Sequence, residues 1–326
     1  MYFLVSLLLT LLFLIFPKSS SAAQNQFITI VNPVRGADFF QLEGQKPIDN
    51  VRNEWEEIRK RNLAATWLIR VDALTDPEIV NIFKSLPQNQ EIGLFMEVTP
   101  AWAKLANVNY KLGRSWYVAG SLFLTGYEVG ERKELIYAAF EKFKEIFGAY
   151  PKSVGAWWID ANSLQYMKDN YGIMANMDVS DQYSTDDYQV WGQYFSTPFY
   201  PSKRNALIPA LGEDQKIGVL TIQWASRDPY NSYGNGVLDS TYSVQANDYA
   251  NAKFHNLSVD YFKKLLSIYL DNPYSDFGQV TIGLENDFSW SEFGQEYKRQ
   301  LDEVVKRKNQ ETSILTMSQF SSQYQL

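Results

Sequence analysis

Leu63-Ala64-Ala65-Thr66-Trp67-Leu68-Ile69 is an unbroken apolar run of strand length that stops on Arg70 and Asp72. Such a run reads as a strand buried on both faces of a parallel sheet, since a half-exposed strand would alternate apolar with polar residues. Two stretches repeat the plan downstream, residues 91–98 (EIGLFMEV) and 153–159 (SVGAWWI). Helices separate them. Thr75-Asp76-Pro77-Glu78 has the form of a capping box and opens a helix covering Ile79, Ile82 and Phe83. Residues 131–147 place Leu135, Ala139, Phe140, Phe143, Ile146 and Phe147 on one face, with Gly148 and Pro151 as the stop.

The alternation continues outward in both directions. Residues 27–31 form a first strand ending at Asn32-Pro33, and 50–61 a helix. A long loop after Val98 holds Trp102, Tyr110, Trp116 and Tyr127. Beyond the centre come helix 162–170, a short strand 173–177 and an aromatic insertion reaching Glu213. Strand 216–224, helix 259–270, strand 279–284, helix 290–306 and a short strand 312–315 complete the chain. Strands that alternate with helices imply right-handed crossovers. The expected fold is α/β: a single distorted (β/α) barrel of seven or eight mostly parallel strands, carrying a long aromatic loop insertion. It occupies residues 24–326 as one domain, with no internal repeat and no Pro/Ser linker.

Residues 2–16 (YFLVSLLLTLLFLIF) are apolar and are followed by Pro17, Lys18 and the small residues Ser19 to Ala23. This is the pattern of a secretory signal peptide over 1–23, with Ser20-Ser21-Ala22 or Ser21-Ala22-Ala23 at the cleavage site. The apolar run is shorter than the ~20 residues that span a bilayer, so a membrane partner is expected only if the segment stays uncleaved. The body is therefore expected to be secreted or extracytoplasmic. It carries one sequon, Asn256-Leu257-Ser258.

Composition narrows the chemistry. The 326 residues include no cysteine and a single histidine, His255, and carry a formal net charge of −7. Disulfides, thiolate metal sites and a Cys nucleophile are excluded, as is a multi-histidine metal centre. His255 sits just before a helix and reads as a packing or surface residue. The acidic balance speaks against nucleic acid as a partner. No cofactor is implied, and no metal ligand set is assigned. Carboxylates and aromatics remain.

In a parallel barrel the chemistry sits at the rim formed by the strands' C-terminal ends. Those positions are rich in charge: Arg35 and Asp38 after the first strand, Arg70 and Asp72 after the second, Glu97 after the third. Asp160, then Asp178 with Asp181 close by, follow the next two. Trp224, Arg227 and Asp228 come after the sixth, and Glu285, Asn286 and Asp287 after the seventh. The catalytic candidates are Glu97, Asp160, Glu285 and Asp178. Each has a plainer alternative: Asp160 can be a helix N-cap, Asp178 can solvate a turn, and Asp287 can pair locally while Ser289 and Glu292 form a capping box. Glu97 and Glu285, at the ends of apolar strands, are the hardest to explain as solvated acids.

Aromatic side chains accompany the acids. Trp157 and Trp158 precede Asp160, Trp191 stands in the insertion among several tyrosines, and Trp224 ends a strand. Pyranose rings stack on aromatic faces and their hydroxyls bond to Asp, Asn, Gln and Arg, so the expected partner is a polysaccharide or oligosaccharide. Arg35, Asp38, Trp157, Trp158, Trp191, Trp224, Arg227, Asp228 and Asp287 are its candidate binding residues. The alternative is that the insertion uses its aromatics as a small core of its own.

Ala65-Thr66-Trp67-Leu68-Ile69, Glu91-Ile92-Gly93-Leu94 and the segment Phe147-Gly148-Ala149-Tyr150-Pro151-Lys152 resemble the polysaccharide deacetylase (NodB-like) family of the glycoside hydrolase/deacetylase superfamily. The likeness spans residues 27–177 and implies a distorted βα barrel. It also implies a metal held by an Asp after strand one and two His after strand three. The corresponding positions here are Val31-Asn32, Phe95 and Thr99, while Gly155-Ala156-Trp157 replaces the family's Arg-x-Pro and Trp224 stands near its late Leu-x-His. A metal-dependent deacetylase is disfavoured. The expectation is a metal-independent glycoside hydrolase using paired carboxylates, or a non-catalytic glycan-binding relative.

Overall fold

The computed structural model describes residues 25–113, 118–178, 197–226, 228, 243–246, 259–271, 277–308 and 312–324. The 1–23 segment, Trp191, Arg227, Asp181, His255 and the sequon lie outside them. In chain order the elements are β1 (Asn25–Val34), α1 (Pro47–Lys60), β2 (Ala65–Arg70), α2 (Pro77–Lys84) and β3 (Gln90–Phe95). Short helices α3 (Pro100–Leu105) and α4 (Ala119–Leu122) precede α5 (Val129–Phe147), β4 (Ser153–Gly155), α6 (Ala161–Tyr171) and β5 (Ala175–Asp178). A hairpin β6 (Pro201–Ser202) and β7 (Asn205–Pro209) leads to β8 (Leu220–Gln223), α7 (Val259–Leu270), β9 (Phe277–Ile282), α8 (Trp290–Lys308), β10 (Ser313–Leu315) and α9 (Met317–Gln323).

Parallel pairing runs β9-β1-β2-β3-β4-β5-β8, with β10 beside the start of β1. Strand β1 is the seam: Asn25 to Ile30 pair with β9, whereas Val31 to Val34 pair with β2. Among the described residues β8 and β9 share no ladder. Ser226 joins them, donating its amide to the Thr281 carbonyl at 3.2 Å and accepting the Thr281 amide on its hydroxyl at 3.1 Å. The turn that delivers Ser226 passes through Ala225 at φ +46°, a left-handed backbone that a non-glycine residue adopts only when its surroundings enforce it. The expected nearly closed α/β barrel is what the chain forms.

The period-2 alternation of the strands sorts side chains to two sides. Val31, Leu68, Phe95, Met177, Ile222 and Trp224 pack in the barrel lumen. Ile30, Trp67, Ile69, Leu94 and Ile282 face outward onto Val51, Ile58, Ile79, Phe83, Leu135 and Phe140 of the helices. A Cβ at Gly283 would lie 1.7 Å from the Val31 carbonyl oxygen, so only glycine lets β1 and the end of β9 approach this closely. Gly148, at φ +81°, ends α5 in the left-handed conformation. Below the lumen Phe27, Phe277, Phe320 and Tyr324 stack, with Phe27 and Phe320 ring centres 5.3 Å apart. Helix α9 thus packs against the barrel's N-terminal end, opposite the rim that carries the charged residues.

Several boundaries differ from the sequence reading for identifiable reasons. Strand β1 runs through Pro33 to Val34 because its pairing with β9 has stopped at Ile30, so the missing proline N–H is not needed there. The cap of α2 is Asp76, which accepts from the Glu78 and Ile79 amides at 2.8 and 3.3 Å, while Thr75 turns back to the Asp72 carbonyl. Ser289 bonds Ser291 and forms no side-chain capping box with Glu292. Strand β4 ends at Gly155, and Trp157, in phase with Gly155, packs in the lumen. Helix α9 was not foreseen: only its Met317 and Phe320 are strongly apolar.

Candidate active site

At the rim, Arg35 stands one residue beyond the ladder of β1 and is buried there. Its Nε and Nη2 donate to the two oxygens of Glu97 at 2.8 and 2.7 Å, a bidentate pair. Its Nη1 donates to Glu285 Oε2 and, at 2.7 Å, to Asp287 Oδ2. The guanidinium also lies 5.5 Å from the Phe95 ring centre and 5.6 Å from that of Trp157, which contacts Trp224 in turn. A second arginine supports the first. Arg70 grips both oxygens of Asp72 at 2.7 and 2.8 Å and reaches Glu97 Oε2 at 3.1 Å.

The scaffold around Arg35 is fixed by amides. Asn286 Oδ1 accepts the Arg35 amide at 2.8 Å and Asn286 Nδ2 donates to the Arg35 carbonyl at 2.9 Å. Asn50 on α1 donates to the Asn286 and Phe288 carbonyls at 2.9 and 2.8 Å, holding the loop that carries Asp287. Gln245 Nε2 donates to the remaining Glu285 oxygen at 3.1 Å.

The carboxylates do not titrate alike. Burial would raise Glu97, yet Arg35 and Arg70 outweigh it and hold the group below its ordinary range. Burial pushes Glu285 up to about 8; Arg35 opposes that shift, while the negative charges of Asp287 and Glu97 reinforce it. Burial likewise works against the Arg35 charge, but Asp287, Glu97 and Glu285 together raise its pKa well above the usual value. Burial thus favours the neutral form of Glu285, whereas the two arginines favour the ionised form of Glu97, and the Arg35 cation lies between them. Asp287 is the most accessible member, with 24% of its side chain exposed against 8% for Glu285 and none for Glu97.

The structure gathers Arg35, Glu97, Glu285, Asp287, Trp157 and Trp224 into one cluster and places other candidates elsewhere. Asp160 is the N-cap of α6: its Oδ1 accepts from the Asn162 and Ser163 amides, and it pairs with Arg132 at 3.4 Å. It has no hydrogen bond or ion pair to the Arg35 cluster among the described residues. Replacing Asp160 by alanine is expected to destabilise the protein by ~0.5–2 kcal/mol, as for other N-caps, measured by urea unfolding. Asp178 follows lumen-facing Met177, so strand alternation turns it to the outer face, the side of Asn176 and Thr221. Burial raises it to about 8, only partly offset by the Asn176 side chain and the Ile159 amide. Asp38 ties loops together, accepting the Ala101 amide at 2.9 Å and giving its carbonyl to Arg70. Asp228 accepts the Tyr261 hydroxyl, and half-buried Trp158 meets Phe123 edge-on.

Sequence reading missed Glu54, buried on α1, and assigned no role to Arg70, Asp72, Asn286 or Gln245. The available signal was parity. Counting in twos from Leu68, Phe95 and Gly283 reaches Arg70, Glu97 and Glu285 on the lumen side. Nothing comparable marks Glu54, because a glutamate in a polar helix looks like solvated surface.

The positions that correspond to a deacetylase metal set do not fit a metal. Asn32 Oδ1 is taken by the Tyr297 hydroxyl at 3.0 Å and the Leu284 amide at 3.1 Å, Phe95 has no donor atom, and Thr99 caps α3. The three carboxylates of the cluster converge on Arg35. Among the described residues no group of three or more His, Cys, Asp or Glu has the geometry to hold an ion.

Comparison with protein families matches residues 34–326 to DUF3863, described as a domain of unknown function with a solved structure. Among solved structures the chain is similar to a candidate glycoside hydrolase/deacetylase from Parabacteroides distasonis (19% identity, TM-score 0.66, 92% of this chain and 71% of that one). It is also similar to Puue allantoinase (10%, 0.56, 93% and 91%). A third is a candidate polysaccharide deacetylase from Mycobacterium smegmatis (12%, 0.52, 94% and 92%). At these identities the likeness establishes a common fold. Comparison with curated proteins gives no match.

Proposed function

Given that the chain belongs to the DUF3863 family, we propose that it is a carbohydrate-active protein of the glycoside hydrolase/deacetylase fold, acting as a metal-independent glycoside hydrolase on a polysaccharide or oligosaccharide outside the cytoplasm. One observation carries the reading: a single Arg35 nitrogen is shared by Glu285 and Asp287. Two oxygens bonded to one nitrogen lie within about 6 Å of each other, close to the ~5–5.5 Å carboxyl separation of retaining glycosidases. In this reading Glu285, neutral at pH 7, donates its proton to the departing glycosidic oxygen. Asp287, the most exposed of the three side chains, attacks or stabilises the anomeric carbon through Oδ2. Arg35 and the ionised Glu97 keep the two carboxyl groups in place. The fold neighbours named for carbohydrate substrates support the substrate class.

Glu97 also favours a second reading. With both oxygens spent on two arginines and no exposure, it is a structural acid, and a binding module would keep such a platform without turnover. Incubating the purified protein with a glycan panel in EDTA separates the two. Turnover is expected to persist in the chelator and to fall as pH rises through about 8, where Glu285 loses its proton. Binding without turnover supports the module, and deacetylation abolished by EDTA overturns both readings.

A further inference from the structure

Glu54 takes no part in this chemistry, yet it is fully buried on α1 and neither carboxyl oxygen has a hydrogen-bond partner. It lies one turn beyond Asn50, which holds the carbonyls on either side of Asp287. Asn50 Oδ1, Asp287 Oδ1 and Asn32 Nδ2 are likewise buried and unpartnered. Asn32 is tied to α8 through Tyr297, and α8 packs on α1. Five partnerless polar atoms from β1, α1 and the loop after β9 thus belong to one region between the helices and the rim.

Their chemistry is unbalanced. Asn50 Oδ1, Asp287 Oδ1 and the two Glu54 oxygens are acceptors, and Asn32 Nδ2 is the one donor. Buried polar atoms are nearly always served by protein or ordered water, and acceptors facing acceptors need protons from somewhere. We propose that Glu54, as a neutral carboxylic acid, joins a small group of buried water molecules in a hydrogen-bonded bridge from α1 to Asp287 Oδ1, making Glu54 a positioning residue for Asp287. The importance of Asp287 rests on the glycosidase reading; the bridge does not.

The electrostatics agree with the geometry. Burial raises the Glu54 carboxyl well above its ordinary value, and the charges of Asp287 and Glu285 add to the shift. Arg35, just after β1, is the cation bound to those two acids. From α8 the titratable neighbour is Tyr297, itself raised by burial and by Glu54, with Arg61 and Glu57 of the α1 end acting on it as well.

Three measurements test the bridge. A crystal structure of the wild-type protein is expected to show ordered water within hydrogen-bond distance of Asp287 Oδ1, Asn50 Oδ1 and Glu54; a dry region overturns the proposal. Infrared spectra near neutral pH are expected to contain a protonated-carboxyl component that Glu54→Gln removes and that Glu285→Gln and Asp178→Asn both leave in place; a Glu54→Gln spectrum identical to the wild type overturns the neutral acid. Thermal unfolding completes the set. A raised carboxyl pKa destabilises the fold progressively above the ordinary carboxylate range, so Glu54→Gln should match the wild type in acid and melt a few degrees higher at mildly alkaline pH. That gap should shrink when Asp287→Asn is present in both proteins, and a gap independent of pH or of Asp287 overturns the coupling. If Glu54→Gln fails to fold, the wild-type water positions decide the matter. Absence of glycan turnover would refute the proposed function and leave all three readouts interpretable.

Discussion

Arg35→Met is expected to destabilise the protein by about 3–5 kcal/mol, the usual result of removing one partner from a buried ion pair. Three carboxyl groups converge on this guanidinium, and none has a second cation that could replace it fully: Glu97 keeps Arg70 at 3.1 Å, while Glu285 keeps the Gln245 amide. The loss should depend on pH with a definite sign. In the wild type the depressed Glu97 pKa contributes stability that is present above the ordinary carboxylate range and lost as pH falls through it. In the variant the same carboxylates are buried without their cation, so their pKa values rise and stability declines as pH increases. The gap between the two proteins therefore widens from pH 4 toward pH 8, as urea unfolding at several pH values would measure. A loss below about 1 kcal/mol, or one constant with pH, would show that the cluster is solvated and the arginine dispensable. Arg35→Lys should recover only part of the loss, because an ammonium cannot grip Glu97 bidentately while reaching Glu285 and Asp287.

Glu285→Gln should separate catalysis from stability. Glutamine keeps the shape and can still accept from Arg35 and face Gln245, but it has no proton to deliver. Turnover is expected to fall by ~10²–10⁴, the usual contribution of a general acid, with glycan affinity little changed. Stability moves the other way. A carboxyl held up to about 8 contributes no penalty below its unfolded pKa and an increasing one as pH rises toward 8. The variant should thus be as stable as the wild type in mild acid and more stable in mild alkali. Equal loss of binding and turnover would argue that Glu285 holds substrate and does not protonate it. An unchanged rate would move the acid elsewhere.

The two variants also discriminate between residues that sequence reading grouped together. Glu97, Asp160, Glu285 and Asp178 all stand at strand ends, and position along the chain places them on the same rim. Their roles diverge through local geometry. Asp160 is used by the first amides of α6, which need an acceptor whether or not a site exists. Asp178 is one residue out of phase with lumen-facing Met177, and one residue is enough to turn a strand side chain to the opposite face. Trp157 and Trp224 are drawn into the same cluster, Trp157 against the Arg35 guanidinium and Trp224 against Trp157.

What the sequence alone determined was the barrel, its rim and the exclusion of thiol chemistry and of a multi-histidine metal centre. Apolar runs such as 63–69 have one low-energy destination, a sheet covered on both faces, and the helices between them dictate parallel crossovers. These are local properties, set by period and length. The tertiary structure decided which acids share a cation. Arg35 meets Glu97 across 62 residues and Glu285 across 250, contacts that arise only because β1 is the seam joining β2 and β9. It also decided protonation, since Glu97 and Glu285 are the same residue type at equivalent strand ends. One faces two arginines and is held below its ordinary range; the other shares a single arginine nitrogen with Asp287 and is pushed above it by burial. Charge in a protein interior depends on desolvation and on neighbours brought together by the fold, and neither is encoded in a residue's own position in the chain.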